Sequence, residues 1–383
     1  MLADSLKDKM RAIFVRKQTQ IGSCLLSSLL SFIMSKYFLS VVFGIVACSS
    51  AFAQEKLVFA IDVVRHGDRT PLIASPGMEK IWPQGVGQLT PRGMRQEYEL
   101  GKTLRQKYVN QYHLLPKQYD TNTMTVRSSS MPRTMMSAQS ILFGLYPLGT
   151  GPSLNESSKA LPKGLQPIPI NMVPREQDSL LIPNHDKEEF KRLLETYILN
   201  SPEWIQKDNE LKSNYPAWSK IFDIPVSNLF DLIHVSDRLF IEQIYNISLP
   251  SGLQKKDADT ILGAGKWAFL YIANHPKLAL IAGSELAQTI KHEVSLAAEQ
   301  NRPLKYLLFV AHDTTLEAQL RILGQTINDI PSYASEINYS LFDVGSSNYE
   351  VRVTYNQKPL FIEQCGAEHC TLSDFINLID TQV

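Results

Sequence analysis

Lys56-Leu57-Val58-Phe59-Ala60-Ile61-Asp62-Val63-Val64 runs straight into Arg65-His66-Gly67-Asp68-Arg69-Thr70-Pro71. The first nine residues are almost continuously apolar and rich in β-branched side chains. That is the pattern of a strand buried on both faces, as in parallel sheets covered by helices. Gly67 and Pro71 stop it. Thr90-Pro91 reads as an N-cap with proline at the first helical position, and Met94, Tyr98, Gly101, Leu104 and Tyr108 follow at helical spacing. A second helix is expected from near Ser130-Met131-Pro132 through Ala138, Ile141, Leu142 and Leu145 to Pro147. Strand, loop and helix alternate, which predicts an α/β fold: a doubly wound, mostly parallel sheet with helices on both faces.

Further along, residues 149–174 are rich in Pro, Gly, Ser and Asn and read as a long surface loop. From about Asp186 to Asn274 the pattern is helical, with many aromatic and charged residues and little strand character. This predicts a smaller α-helical cap inserted into the core, giving core 54–185, cap 186–280 and core 281–383. Leu278 to His292 reads as helix, Lys305 to Ala311 as a second buried strand, and Asp313 to Leu323 as a helix ended by Gly324. Tyr339 to Val344 and Tyr349 to Tyr355 alternate like an antiparallel hairpin at the sheet edge.

The chain has 383 residues, 44% of them hydrophobic and 20% charged, which excludes a disordered or collagen-like chain and a multi-span membrane protein. Its 38 Lys+Arg balance 38 Asp+Glu, so no basic excess argues for a nucleic-acid partner. The front end reads as an export signal. Met34-Ser35-Lys36-Tyr37 is a short positive region, Phe38 to Ser50 an apolar run too short to span a bilayer, and Ala51-Phe52-Ala53 a small-x-small cleavage pattern. Residues 34–53 are therefore expected to be a signal peptide and 1–33 an upstream extension, with no stable membrane span in the mature form and a periplasmic or secreted product. The competing readings are a membrane anchor, since Leu25 to Ile33 is also apolar, and a lipidation site at Cys48. Removing 1–53 takes away six basic residues (Lys7, Lys9, Arg11, Arg16, Lys17, Lys36) and two acidic ones (Asp4, Asp8), leaving a net charge of −4. Of four cysteines, Cys365 and Cys370 remain. A close pair in an exported chain predicts a local disulfide; a zinc site would need more ligands nearby than His369.

The chemistry-bearing residues gather at two strand ends, where ligands bind in open α/β sheets. After the first strand, His66 is bracketed by Arg65 and Arg69. Guanidinium forks match phosphate oxygens, and two of them oppose protonation of the imidazole between them. After the second strand come His312-Asp313-Thr314-Thr315, where Asp313 reads either as a helix cap or as a proton donor. Arg127, in Thr125-Val126-Arg127-Ser128-Ser129, is the third candidate. Arg133, six residues on, reads either as a phosphate contact or as half of a structural ion pair; Arg127 is preferred for the site and Arg133 for the structural role.

Taken together, Arg65 to Pro71, Trp82 to Thr90, Tyr98 to Gly101, Val126-Arg127-Ser128, Arg133-Thr134 and Ala311 to Thr315 resemble the histidine acid phosphatases. These form branch 2 of the histidine phosphatase superfamily, and the chain looks most like their prostatic and lysosomal types. The resemblance implies that His66 attacks phosphorus and carries a phosphohistidine, that Arg65, Arg69, Arg127 and His312 bind the phosphoryl oxygens, and that Asp313 is the general acid. It implies no metal and no cofactor, small phosphomonoester substrates, and leaves a homodimer open. A phytase or sugar-phosphatase is the nearest alternative, although Thr315 and the acidic net charge weigh against phytate. A non-catalytic phosphate-binding or adhesion protein is the alternative from another class.

Overall fold

A computed structural model describes residues 55–73, 78–182 and 188–383. The extension, the signal peptide with its cleavage site, Cys48 and the expected cap boundary at 186 lie outside the described residues.

In chain order, β1 (Lys56–Arg65), α1 (Pro91–Arg105), β2 (Met124–Ser128) and α2 (Pro132–Leu145) make the first half of the core. The Thr90 hydroxyl accepts the Gly93 N–H at the head of α1, as the Thr-Pro pair predicts. Residues 149–174 are less bare than expected, since a small exposed hairpin of β3 (Ser153–Asn155) and β4 (Ser158–Lys159) interrupts them. Then follow α3 (Glu188–Leu194), α4 (Pro202–Leu211), α5 (Tyr215–Phe222), α6 (Leu229–Ile244) and α7 (Lys255–Ala273). Phe190, Trp204, Trp218, Phe222, Leu232, Leu239 and Ile261 build an apolar cluster of their own inside this helical stretch. The long α8 (Pro276–Glu299), β5 (Tyr306–Ala311), α9 (Asp313–Ile322), β6 (Glu336–Gly345), β7 (Asn348–Tyr355), β8 (Lys358–Pro359), β9 (His369–Thr371) and α10 (Leu372–Gln382) complete the chain.

The main sheet runs β2-β5-β1-β6-β7-β8, with β9 also on β7. The three strands β2, β5 and β1 are parallel; from β1 outward every pairing is antiparallel. The sheet is therefore mixed. The expected antiparallel hairpin joins the edge of the parallel strands, β6 lying directly against β1 over eight pairs beginning at Lys56↔Asp343.

Burial on both faces of β1 explains its continuous apolar run. Phe59, Ile61 and Val63 pack with Leu286, Ile290, Leu316 and Leu320 of α8 and α9 and with Phe375 of α10. Ala60 and Val64 face Leu100, Leu104, Ile141 and Leu145 of α1 and α2. Asp62, on that second face, is the exception in the run. Burial raises its carboxyl, and the Tyr108 hydroxyl donates to it at 2.7 Å. The Cys365–Cys370 disulfide closes a five-residue step beside β9. Among the described residues no helix is long and apolar enough to cross a membrane.

Candidate active site

Parallel pairing puts Arg65 opposite Ala311, so β1 and β5 end side by side and release His66 and His312 at one place. The His66 N–H donates to the Ala311 carbonyl at 3.0 Å, and the two imidazole centroids are 5.6 Å apart, edge to face. The His66 Nδ1 is 2.8 Å from the Gly67 carbonyl. A carbonyl only accepts, which assigns the proton to Nδ1 and leaves a lone pair on Nε2. Burial, then the charges of Arg133 and Arg65, hold this imidazole well below the usual histidine range, so it stays neutral in mild acid.

The loop carrying His66 is seated by main-chain contact. A Cβ built on Gly67 would stand 2.5 Å from the Gly93 carbonyl oxygen, and one on Gly93 would stand 2.2 Å from the Asp68 carbonyl oxygen. Only two glycines allow the loop and α1 to meet this closely. Around this seat, the buried Asp68 carboxylate accepts from the hydroxyls of Thr90 and of Tyr245, the residue that follows α6. Asp68 therefore faces the head of α1 and not the pocket.

Each loop arginine is anchored to a different element. Arg65 pairs with Asp313 of α9 at 2.7 Å, donates to the Pro331 carbonyl and lies over the Tyr333 ring at 4.3 Å. Arg69 makes a two-pronged bond to Asp237 of α6, at 3.0 and 2.9 Å. His312 is the N-cap of α9 and Asp313 its first residue. Arg133 Nη2 approaches His312 Nδ1 at 3.4 Å, while Ser129 Oγ lies 3.0 Å from His312 Nε2. Because a guanidinium only donates, His312 Nδ1 is the acceptor and Nε2 carries the hydrogen toward Ser129. Burial and the Arg133 charge push His312 well down. For Asp313, burial works against the charged form. Arg65, then Arg69, His312 and the Thr314 N–H outweigh it and hold the carboxyl below the usual range.

His66, Arg65, Arg69, His312 and Asp313 are thus brought together. Arg127 stands one residue before the end of β2, opposite Phe309 of β5, and its Nη2 pairs with the buried Asp178 at 2.7 Å. Arg133, which sequence reasoning left to a structural ion pair, belongs to the cluster: it is 9% exposed, with its side chain against His312. Burial and the neighbouring Arg69 charge push its guanidinium down to about 10, the mark of a cation crowded by cations. Its place in the first turn after Pro132, at the end of β2, was the available signal. Asp237 and Tyr333 carry no local mark in the sequence, one being an acid on an amphipathic helix and the other a tyrosine in the loop between α9 and β6.

Chemically, this is a neutral imidazole with a free Nε2, ringed by guanidinium donors, with one carboxyl at a helix N-terminus. Such a set can attack, stabilise and protonate around a tetrahedral oxyanion.

The family model described as histidine phosphatase superfamily (branch 2) matches residues 56–249. The chain is 31% identical over 340 residues to the lysosomal acid phosphatase of Bos taurus, covering 85% of this chain and 78% of that one. It is 30% identical over 347 residues to the prostatic acid phosphatase of Mus musculus, covering 85% and 86%. Among solved structures, the Klebsiella sp ASR1 phytase superposes with a TM-score of 0.62 at 17% identity, covering 86% of this chain and 96% of that one. The Hafnia alvei phytase in complex with tartrate gives 0.60 at 19%, covering 86% and 98%. At such identities the two structural likenesses speak for the fold alone.

Proposed function

The chain belongs to branch 2 of the histidine phosphatase superfamily, and from that membership we propose that it is an acid phosphatase hydrolysing phosphate monoesters through a phosphohistidine on His66. The observation that carries the reading is the Nδ1 bond of His66 to the Gly67 carbonyl, which aims a free Nε2 into a cluster of arginines.

In the first step Nε2 forms a bond to phosphorus as the ester P–O bond breaks, and Asp313 gives its proton to the departing alkoxide. In the second, water attacks phosphorus, Asp313 takes the water's proton, and the P–N bond breaks to return neutral His66 and phosphate. Arg65, Arg69, Arg127 and Arg133 hold the phosphoryl oxygens, so guanidinium groups supply the positive charge, and His312, with Nδ1 on Arg133 and its Nε2 hydrogen toward Ser129, holds Arg133 in place beside them. No metal ion and no organic cofactor enters this scheme.

The ion pair with Arg65 bears on the pH at which this works. It keeps Asp313 ionised in the free protein, whereas the donor must be protonated. A phosphoryl group bound to Arg65 and Arg69 cancels part of the charge that lowers Asp313, so binding itself favours the acid form. Mildly acid conditions add to this, while His66, held low, remains a nucleophile.

The test is phosphate release from p-nitrophenyl phosphate by residues 54–383 at mildly acid pH with chelator present, beside His66→Ala. Chelator-resistant turnover lost in the variant is expected. A folded wild type that binds phosphate without turnover would move the reading to a phosphate-binding protein. Export to the periplasm or the medium is proposed from the Ala51-Phe52-Ala53 pattern. It is tested by whether the secreted chain begins at Gln54 or Glu55.

A further inference from the structure

Arg65 and Arg69 already face carboxylates, Asp313 and Asp237, and Arg127 of β2 faces Asp178. Arg133 instead faces the neutral His312. The cluster therefore carries one more cation than anion. That suits a single phosphoryl group of one to two negative charges, and gives a second or third phosphate no unpaired guanidinium to meet.

Exposed apolar side chains lie near this cluster. A Cβ built on Gly87 would lie 3.4 Å from Leu72 Cδ2 and 3.7 Å from Arg133 Nη1, which places Leu72, 38% exposed, at the edge of the Arg133 site. Val86, beside Gly87, is 47% exposed. On the other side, Asp237 fixes which face of α6 turns to Arg69. Residues one turn away from Asp237 are Ile233, His234, Phe240 and Ile241, of which Phe240 and His234 are exposed. Phe240 is 50% exposed, on a helix held in place by Ile241 against Met78 and Trp82.

We propose that Leu72 and Phe240 form an apolar leaving-group subsite, so that the protein selects monophosphates of apolar alcohols over polyhydroxy and multiply phosphorylated ones. This rests on the phosphatase reading above and adds the substrate class.

The test compares n-hexyl phosphate with glycerol 1-phosphate. Both are esters of primary alcohols, so a difference in kcat/KM reports contact with the leaving group more than its chemistry. Wild type is expected to favour the hexyl ester about tenfold or more, which the transfer of two methylenes from water suffices to give. Phe240→Ser should shrink that ratio severalfold. Phe240→Leu, which keeps an apolar side chain and controls for folding, should hold it within about twofold. A wild-type ratio near one, an unchanged ratio in Phe240→Ser, or a higher kcat/KM on phytate than on the hexyl ester would overturn the proposal. Turnover of none of the three by folded protein would overturn the phosphatase reading itself, and the subsite with it.

Discussion

Glu336 offers a stability prediction with a sign and a size. It opens β6 opposite Val64 of β1, is 4% exposed, and its backbone N–H is held by the Asn356 side chain at 3.1 Å. Burial, then the nearby Asp62 charge, push its carboxyl up to about 7, against roughly 4.3 for an ordinary glutamate. A folded-state pKa above the unfolded one means that the native protein holds this proton more tightly. The stabilisation is therefore complete below the unfolded pKa and is lost as pH rises toward 7. Each pH unit between the two values is worth ~1.4 kcal/mol, so this one group should remove about 3 kcal/mol of stability between pH 4.5 and pH 8. Glu336→Gln imitates the protonated acid at every pH. Urea unfolding followed by tryptophan emission at the two pH values should show the wild type losing about 3 kcal/mol more than the variant. Equal losses in both proteins would refute the argument, because Glu336 would then titrate alike in both states.

Three further outcomes follow from the site. Asp313→Asn should cut kcat on alkyl phosphates by about 10²- to 10⁴-fold, with a much smaller loss on p-nitrophenyl phosphate, whose leaving group needs no proton; equal losses on both esters would remove Asp313 as the donor. Arg133 is the largest charge holding His66 low after burial, so Arg133→Gln should move the acid limb of the kcat/KM profile to higher pH. An unmoved limb in an active variant would show that His66 does not feel that charge. Gly93→Ala should cost about 1–3 kcal/mol or more, since its Cβ would press on the Asp68 carbonyl oxygen. It should also lower kcat, measured on the folded fraction.

What could be read from the sequence and what could not divide along physical lines. β1 and β5 were legible because burial on both faces leaves an unbroken apolar run. The two histidines were legible because both follow such runs directly. Strand order was harder: the hairpin of β6 and β7 announced itself by alternation, but nothing local said that β1 was the strand it would join. The helical stretch was recognisable as helix, yet Asp237 acquires meaning only once α6 is laid against the loop holding Arg69. Arg133 was passed over for a related reason. An arginine in a first helical turn is usually a solvated charge, and only the convergence of β2 with β5 turns it inward to His312.

The glycine contact under the histidine loop has a further consequence, in how placement errors accumulate. A nucleophile seated on side chains inherits the play of every rotamer beneath it. Here the chain carrying His66 rests against the backbone of α1 with nothing interposed, and backbone atoms of a packed helix have little freedom to shift. Looseness elsewhere, from a trimmed core residue or a repacked surface, therefore adds little at the reacting nitrogen. The same seat makes the molecule brittle at two positions: a saturation scan should find broad tolerance across the outer face of α1 and an abrupt cliff at Gly67 and Gly93.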